Sequence, residues 1–548
     1  MADQTGTDDR EVDWSTSFDH YDPTYAADPF PIWDDLRERD TMARSEAFRG
    51  MWVPCRHADI VAIANDTDTF SSRQPIIAQY APLTDFRLEV PPISSDPPYH
   101  TEARRLLLPF FGPKRIEALQ PKVESLADEL IDDFVDRGRC DAASDYARHI
   151  PVRIIATMLG VPHEDEQLFL GWVHQLLELA PTDFFAGMAG LQDFFGYFVD
   201  QVQQRRREPR DDLISFLLEA RIEGRPLTDQ EILGMCLLLL LAGIDTTWSA
   251  IGASLWHLAQ HPEQQQRLRD QPEIWPVARE ELLRAYAPVT MAREVVRDTD
   301  AFGCPMRAGD PLLLPFPAAN RDPAAFPEPD VVDLDRTENR HLAFGVGIHR
   351  CLGSNLARME LQTAVERFLA RIPAFRLADP EAVRWSVGQV RGPRVLRWRS
   401  TPIRPLGTPP ACPVSRSRPS TAGHPASPTA RSVARGSVVD ITSNSSRFTS
   451  DAAAEAAGRR RRRWSRWPPA GGRCRNLVGV GHASVCVAGA TVARAPRRAA
   501  RRRTASGVRT TPPRRRAAAI LRRRRAPSAP APPAAPAAAR RATTVGAT

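Results

Sequence analysis

Apolar residues recur at three- and four-residue spacing through most of residues 21–400, which predicts a largely helical body. The longest helix should open at Thr228, where Thr228 and Glu231 form a capping box, and run to about Gln260. Short strand-like segments separate the helices, so the pattern predicts a mainly α fold with small β-sheets. The other predicted helices are 121–137, 211–221, 274–286 and 352–370, and the predicted strands are 293–296, 311–315 and 394–398.

The longest apolar run covers residues 232–244 and is ended by Asp245. It is shorter than the roughly 20 residues that a membrane span needs, which favours a buried core helix. Residues 1–20 are polar and acidic and lack the basic and apolar regions of a signal peptide. The eight cysteines are scattered rather than paired in a disulfide scaffold. We therefore expect a cytoplasmic protein without a membrane attachment.

Composition changes sharply near residue 400. Residues 401–548 hold 30 Arg against 3 acidic residues and only three aromatic residues, whereas the first 400 hold 43 basic and 63 acidic residues. An acidic body that carries most of the aromatic residues can bury a large core, but the Arg/Ala/Pro-rich tail cannot. We predict a flexible segment over 1–24, a folded domain over 25–400 and a disordered tail over 401–548.

Two interpretations of the tail stay open. The chain has 71 Arg but only two lysines, Lys114 and Lys122, which suggests a GC-rich genome in which a shifted reading frame yields Arg/Ala/Pro-rich sequence. The tail is then either a frameshift artefact or a genuine disordered segment that binds nucleic acid nonspecifically. In both cases the net charge of +7 is no evidence that the folded body binds nucleic acid.

The most informative segment is residues 344–353, FGVGIHRCLG, which fits the pattern F-G-x-G-x-H-x-C-x-G. Gly345 and Gly347 permit backbone angles and close approaches that a Cβ would forbid. Cys351 should stand at the start of a helix, where free N–H groups and the helix dipole favour a thiolate, and His349 could reach a carboxylate. A buried structural cysteine in a glycine turn is the alternative, but six matching positions in ten make it improbable.

This loop resembles the haem-binding signature of the cytochrome P450 family. The resemblance implies Cys351 as the axial ligand of the iron in haem b, with Phe344, His349 and Gly353 as further haem-binding positions. It implies a fold in which the haem lies between the long central helix and the helix after the cysteine loop. It also implies a monooxygenase that inserts one atom of O2 into a small apolar substrate, using two electrons from NAD(P)H through a separate redox partner.

Residues 242–246 interrupt the apolar helix with a glycine, an acid and a hydroxyl. Burying Asp245 and Thr246 is costly unless they have partners. One interpretation is structural, with Thr246 bonded back to its own helix and Asp245 in an internal salt bridge. The resemblance implies instead that the two are catalytic, Thr246 holding dioxygen and water while Asp245 relays protons, and that Ala242 and Gly243 contact the haem.

Other positions gain meaning from their order along the chain. His100 and Arg104 lie four residues apart, on one face of a helix, and taken alone could be an ordinary basic surface. The resemblance assigns them, together with Arg293, to the haem propionates. It assigns Glu281, Arg284 and Arg336 to a buried ion-pair triad that serves folding and haem retention.

The resemblance also implies a ferredoxin and a ferredoxin reductase as redox partners. They would dock on a basic patch, for which the candidates are Arg104, Arg105, Lys114, Arg115, Arg350 and Arg358; ordinary surface arginines are the alternative. Residues 245–256 and 284–296 are similar to haem domains of self-sufficient, reductase-fused members, but the tail lacks the C-x4-C-x2-C run of their iron–sulfur reductase.

The substrate pocket should be shaped by residues 70–92 and 166–198. The second range is rich in phenylalanine, which suggests apolar ligands, although such a helix is more often simply core. The phenylalanines concerned are Phe184, Phe185, Phe194 and Phe195.

Three other functions are alternatives to the monooxygenase. A haem protein without turnover would leave the Asp245–Thr246 pair without a purpose. A nucleic-acid-binding protein would act through the arginine-rich tail. Membrane attachment through that tail lacks an apolar anchor.

Overall fold

The computed structural model describes residues 12–39, 42–77 and 87–400. All of them belong to the first of two units into which the chain divides, Met1–Ser417. The second unit, Arg418–Thr548, and the whole predicted tail lie outside the described residues. The domain boundary near residue 400 therefore stays a prediction.

Helices dominate the described residues, and short strands form small sheets between them, which confirms the predicted fold class. The helices are α1 Trp14–Ser17, α2 Pro23–Ala27, α3 Phe30–Glu38, α4 His57–Asn65, α5 Tyr99–Leu107, α6 Pro113–Glu117, α7 Gln120–Asp132, α8 His149–Leu159, α9 Glu166–Val173, α10 Phe184–Arg207, α11 Leu213–Glu219, α12 Asp229–Leu258, α13 Pro262–Asp270, α14 Trp275–Ala285, α15 Phe316–Ala319 and α16 Ser354–Arg371. The strands are β1 Ala43–Ser45, β2 Met51–Val53, β3 Phe70–Ser71, β4 Arg139–Asp141, β5 Arg221–Ile222, β6 Arg225–Pro226, β7 Thr290–Val295, β8 Pro311–Pro315, β9 Phe375–Leu377, β10 Arg384–Trp385, β11 Pro393–Val395 and β12 Arg397–Ser400. Two further segments, Ala143–Ala147 and His174–Leu179, are π-helical.

The largest sheet has the strand order β1-β2-β8-β7-β3, in which β2 and β8 are parallel and the other pairs are antiparallel. A second sheet places β12 between β4 and β9. The single strand predicted over 394–398 is wrong, because β11 pairs with β10 while β12 pairs with β4 and β9. The chain therefore changes sheets at Leu396.

Helix α12 runs through the core. The predicted capping box is present, since Thr228 accepts the Glu231 N–H and the Glu231 side chain accepts the Thr228 N–H. The 30 residues extend about 45 Å and pack against α8 and α16. Among the described residues this helix is long and apolar enough to cross a membrane, yet 61% of its most apolar stretch is buried inside the protein. That burial identifies it as a core helix.

Two other predictions differ from the structure. Helix α7 ends at Asp132 because Phe134 leaves the helical conformation, with φ −133°, and buries its ring in the core. In the segment predicted to be flexible, residues 1–24, helix α1 and the first two residues of α2 are formed. Phe18 of that segment is buried in an aromatic cluster with Tyr25 and Trp33. Residues 1–11 lie outside the described residues.

Candidate functional site

The cysteine loop connects the segment after α15 to helix α16. Gly345 and Gly347 have φ angles of +65° and +73°, a region that residues with a Cβ rarely adopt. A Cβ on Gly347 would lie 2.6 Å from the Ala64 carbonyl oxygen in α4, so the loop also packs too closely there for a side chain. The Cys351 N–H donates to the Phe344 carbonyl at 2.7 Å and closes the loop.

Cys351 stands before the helix rather than inside its first turn. Helix α16 begins at Ser354 with Gly353 as its N-cap residue, so the predicted start at Leu352 is wrong. The Cys351 sulfur is open to a cavity and accepts the Gly353 N–H. The surrounding protein desolvates the thiol and raises its pKa. That Gly353 hydrogen bond opposes the rise, as do the charges of Arg104, Arg350 and Arg358.

The cavity lies between the cysteine loop and helix α12. Its volume is about 240 Å³. Two motifs far apart in the sequence meet there: Phe344, Cys351 and Gly353 from the loop, and Ala242, Gly243 and Thr246 from α12. Most of the remaining wall is apolar and includes Ile93, Leu107, Leu238, Leu239, Val289 and Met291.

The ranges expected to shape the pocket contribute unequally. Pro92, at the end of the first range, lines the cavity, whereas residues 78–86 lie outside the described residues. No described residue of 166–198 lines the cavity. Phe194 is fully buried in the core and Phe185 is 82% exposed, so the phenylalanine-rich helix serves packing rather than the cavity wall in this conformation.

A cluster of nitrogen donors stands at the cavity edge. His100 is buried, its ring lies 4.3 Å from the His349 ring, and three of the four imidazole nitrogens have no hydrogen-bond partner in the described part of the chain. Arg293 is 5% exposed and donates to the Ala292 carbonyl at 2.7 Å, without a described carboxylate at ion-pair distance. Arg104 donates to the Arg350 carbonyl at 2.6 Å.

Burial and mutual repulsion weaken the charge of this cluster. Burial and the nearby Arg293 lower the pKa of His349 to about 2, and burial and Arg104 lower the pKa of His100. Burial also lowers the pKa of Arg293, to about 10. Buried donors that lack acceptors are costly, so the cluster is suited to an anionic group that supplies several acceptor oxygens.

The acid and the alcohol on α12 face different surroundings. Thr246 lines the cavity and donates to the Ala242 carbonyl at 2.8 Å. Asp245 does not line the cavity; its side chain is 1% exposed and lies 2.7 Å from an Arg394 nitrogen. Both contacts of the structural interpretation are therefore present. Gly243 leaves room for Ile155 of α8, whose side chain lies directly against it.

The remaining predicted residues form a compact ion-pair group. Both Glu281 oxygens accept hydrogen bonds from Arg284 at 2.8 Å, and Arg336 Nε lies 3.1 Å from the same carboxylate. The Glu281 and Arg284 side chains are fully buried and that of Arg336 is 10% exposed. The group joins α14 to the segment that leads into the cysteine loop.

Sequence reasoning missed three charged residues near the site. Glu360 lines the cavity, is 1% exposed and has a side-chain oxygen without a partner in the described residues. Its position four residues after Leu356 places it on the same, apolar face of α16, so the helical spacing could have predicted its burial. Arg394 and Glu178 form an ion pair beside Asp245, and no local pattern marks them.

Comparison with known proteins identifies the family. The profile of the family Cytochrome P450 matches residues 48–273 and 278–382. The chain belongs to the cytochrome P450 family. It is 38% identical to mycinamicin IV hydroxylase/epoxidase of Micromonospora griseorubida, over 66% of this chain and 94% of that protein. It is 34% identical to pentalenic acid synthase of Streptomyces avermitilis, over 66% and 90%.

Solved P450 structures agree with this assignment. A myxobacterial cytochrome P450 in complex with myristic acid superposes with a TM-score of 0.64 at 33% identity, over 70% of this chain and 98% of that one. Cytochrome P450 PksS of Bacillus subtilis superposes with the same TM-score at 30% identity, over 70% and 100%. The protein is thus a haem-dependent monooxygenase that inserts one atom of O2 into an apolar substrate, with electrons from NAD(P)H through a redox partner.

The side chains of this P450 fit haem. A thiol open to the cavity is the type of ligand that the family's haem iron takes. The unpartnered nitrogens of His100 and His349, together with the buried Arg293, which has no described carboxylate at ion-pair distance, match the acceptor oxygens that two propionates would bring. The exposed Ala242, in an otherwise mostly buried helix, leaves one side of the cavity free of bulky groups.

Proposed function

We propose that Cys351 would bind the haem iron through its sulfur and that haem would occupy the cavity between α12 and the cysteine loop. One observation carries the proposal: a single cavity is lined by Cys351 on one side and by Ala242, Gly243 and Thr246 on the other. When bound, haem with a thiolate ligand supplies an electron-rich iron that favours cleavage of the O–O bond. Phe344 and Gly353 complete the haem contacts on the cysteine side.

The nitrogen donors at the cavity edge hold the propionates. His100 and His349 would donate through buried nitrogens that lack a described partner. Arg293, which also donates to the Ala292 carbonyl, and Arg104, which also donates to the Arg350 carbonyl, would add their guanidinium groups. Two carboxylates there would restore the charge of the cluster, because an anion favours the protonated imidazole. These four residues thus orient the haem and offset the cost of their own burial.

The hydroxyl of Thr246 orients O2 and water in the cavity, and the Asp245 carboxyl supplies protons to that cavity. The position of Thr246 in the cavity wall supports the first role. The buried carboxylate one residue earlier, with an oxygen that has no described partner, supports the second. Glu281, Arg284 and Arg336 hold the fold around the cysteine loop and take no part in the chemistry.

Ferredoxin, reduced by its own reductase, is the electron donor that fits this surface. Near the cysteine loop Arg105, Lys114, Arg115 and Arg350 are exposed, which suits an acidic iron–sulfur protein. Arg358 does not belong to the patch, because its side chain is 18% exposed and paired with Glu280. Turnover with ferredoxin, its reductase and NAD(P)H tests this choice, and a ferredoxin that fails to reduce the haem would overturn it.

The apolar cavity wall favours an apolar organic substrate, and the burial of most of α12 inside the protein favours the cytoplasmic location expected from the sequence. One relative is named as a mycinamicin IV hydroxylase/epoxidase and another P450 was crystallised in complex with myristic acid, and both names support an organic substrate for this chain. A spin-state screen of apolar compounds with the full chain is the direct test of substrate class.

The ligand assignment is tested by the carbon monoxide difference spectrum of the reduced full-length protein. We expect a strongly red-shifted Soret band for the wild type, because a thiolate ligand produces it, and no such band for Cys351→Ala. The matched control is Cys304→Ala, which removes a buried cysteine away from the cavity and should keep the band. A red-shifted band in haem-loaded Cys351→Ala would show that another residue is the ligand.

A further inference from the structure

The arginine beside Asp245 is held from several directions. Arg394 lies on β11 with its side chain 14% exposed, and its Nη2 donates to Asp245 Oδ1 at 2.7 Å. Its Nε donates to Glu178 Oε1 at 2.5 Å and its Nη1 to Ser249 Oγ at 3.1 Å. The guanidinium carbon stands 4.2 Å from the centre of the Trp248 ring. One cation thus joins α12 to the π-helical segment His174–Leu179.

The charges in this group do not balance. Two carboxylates, Asp245 and Glu178, share one guanidinium, and Asp245 Oδ2 is buried without a partner in the described residues. Burial raises the pKa of Asp245 to about 6; Arg394 opposes the rise and the Glu178 charge adds to it. Of the charged groups described on the elements packed around α12, Arg394 and Glu178 are the ones that shift the pKa of Asp245. The group therefore accommodates one extra proton at little cost.

Glu178 links this buried group to the surface. Its side chain is 21% exposed, and Oε2 lies 2.8 Å from Nδ1 of His174, whose side chain is 56% exposed. When Asp245 is protonated it no longer neutralises Arg394, and a buried arginine without an anion would be costly. With Glu178 in place the arginine keeps an anion, so the hydrogen bond to Asp245 can break and form again.

We propose that Arg394 and Glu178 are positioning residues for proton delivery by Asp245, an inference that rests on the role proposed for Asp245 above. Arg394 holds the ionised carboxylate away from the cavity. Asp245 then takes a proton from a hydronium ion of the solvent: the O–H bond of that ion breaks and leaves water, the carboxyl O–H bond forms, and the ion pair to Arg394 opens as Asp245 turns towards the cavity. There it passes the proton to the water that Thr246 orients and returns as a carboxylate to Arg394, while Glu178 keeps the arginine neutralised throughout.

Difference infrared spectroscopy of the haem-loaded full chain tests the charge coupling independently of turnover. Asp245→Asn assigns the carboxyl band of protonated Asp245, whose appearance is then followed as a function of pH. Glu178→Gln should move the titration of Asp245 to lower pH, because Asp245 then no longer shares Arg394 with a second carboxylate. Arg394→Gln should move it to higher pH, because Asp245 loses its cationic partner. The control Glu164→Gln alters an exposed His–Glu pair outside this group and should leave the band in place. If neither Glu178→Gln nor Arg394→Gln shifts the titration, the proposal is wrong.

Turnover gives the second measurement. Glu178→Gln should slow product formation by about tenfold, less than the ~100-fold or more lost with a general acid, and should enlarge the solvent isotope effect. Its carbon monoxide spectrum should stay unchanged, and Glu178→Asp should recover the rate because it keeps the charge. Wild-type rates and isotope effects in Glu178→Gln would overturn the inference.

The two proposals fail in distinguishable ways. If Asp245→Asn and Thr246→Ala leave the ratio of product to NAD(P)H consumed unchanged, the proposed roles of Asp245 and Thr246 fall, whatever Glu178 does. Thr246→Ser, which keeps the hydroxyl, should retain that ratio if they stand. If Asp245→Asn impairs product formation while Glu178→Gln matches the wild type in both measurements, only the positioning role of Glu178 and Arg394 falls.

Discussion

Glu360 is an acid on the buried face of helix α16, among Leu356, Leu361 and Ala364. Its side chain lines the haem cavity, and one carboxyl oxygen has no partner among the described residues. Burial raises its pKa to about 8, which means that the group holds its proton at neutral pH. The cost of placing a carboxylate there is thus avoided by keeping the carboxyl neutral.

Replacing this residue should change how stability depends on pH. The folded protein keeps a proton that the unfolded chain releases above the ordinary carboxyl range, so the wild type loses stability as pH rises towards about 8. Glu360→Gln lacks this loss and should be more stable than the wild type at pH 8, by on the order of a few kcal/mol, but not at pH 4. Urea unfolding at several pH values measures the difference.

The exposed Glu117 offers a matched control for this experiment. Glu117→Gln should follow the wild-type pH profile, because its carboxyl is solvated in both states. Parallel profiles for Glu360→Gln and the wild type would show that Glu360 ionises freely in the folded protein.

Residue pairs close in sequence could be predicted, and distant ones could not. Glu281 and Arg284 are three apart on a helix, so their pairing follows from helical geometry. Glu360 falls in the same class, since the periodicity of α16 places it on the buried face. Arg394 lies 149 residues from Asp245 and reaches it only after β11 has docked, so no local pattern reveals the pair.

The ion-pair group around Glu281 fixes one element against another. Besides Arg284 and Arg336, the Glu281 carboxylate accepts the Asp333 N–H and the Asn339 amide, each at 3.0 Å. Helix α14 is thereby attached to the segment of residues 333–339, which leads directly into the cysteine loop. Since every donor lies in one of these two elements, the carboxylate sets their relative position.

Removing this charge should destabilise the whole protein. Glu281→Gln leaves two largely buried guanidinium groups without their anion, and breaking a buried pair in this way costs about 3–5 kcal/mol. We expect a lower urea midpoint and faster loss of haem. Asp335→Asn, which removes the exposed partner of Arg267, should leave both properties unchanged. Equal effects of the two substitutions would contradict the structural role of Glu281.

Helix positions were predictable where apolar periodicity was strong, as for α12, whose capping box also marked its start. The helix ends were less so, because the termination of α7 depends on the burial of Phe134 rather than on a local signal. The π-helical turn at His174–Leu179 and the division of 394–398 between two sheets were not predicted. Both depend on partners distant in the sequence, which a local pattern does not contain.

At the scale of the whole molecule, strand β12 shows that the fold requires the chain as far as residue 400. Residues 397–400 pair with β4 on one side and with β9 on the other, and Trp398 is 2% exposed. The composition change near residue 400 falls directly after this strand. The sheet thus requires the chain as far as residue 400, and the boundary placed there by composition stays a prediction.

Two truncations separate the body from the tail. Protein ending at Ser400 should keep the red-shifted carbon monoxide band and its catalysis, whereas protein ending at Leu396 should lose both, because β4 and β9 lose their shared partner. Any salt-sensitive binding of nucleic acid should be present in the full chain and absent from both truncated proteins. Loss of the band in the longer truncation would show that the body extends beyond residue 400.

The central place of β12 also sets an order of events during synthesis. The ribosome synthesises β4 and β9 before residues 397–400, so the growing chain at first carries two strands without their shared partner, each able to accept a strand from another chain. Translating residues 401–548 then takes on the order of ten seconds. During that time the last strand can insert while the polypeptide is still tethered, before it meets other unfinished copies. Where residues 401–548 are part of the translated chain, their synthesis thus gives the sheet time to close before other copies meet it.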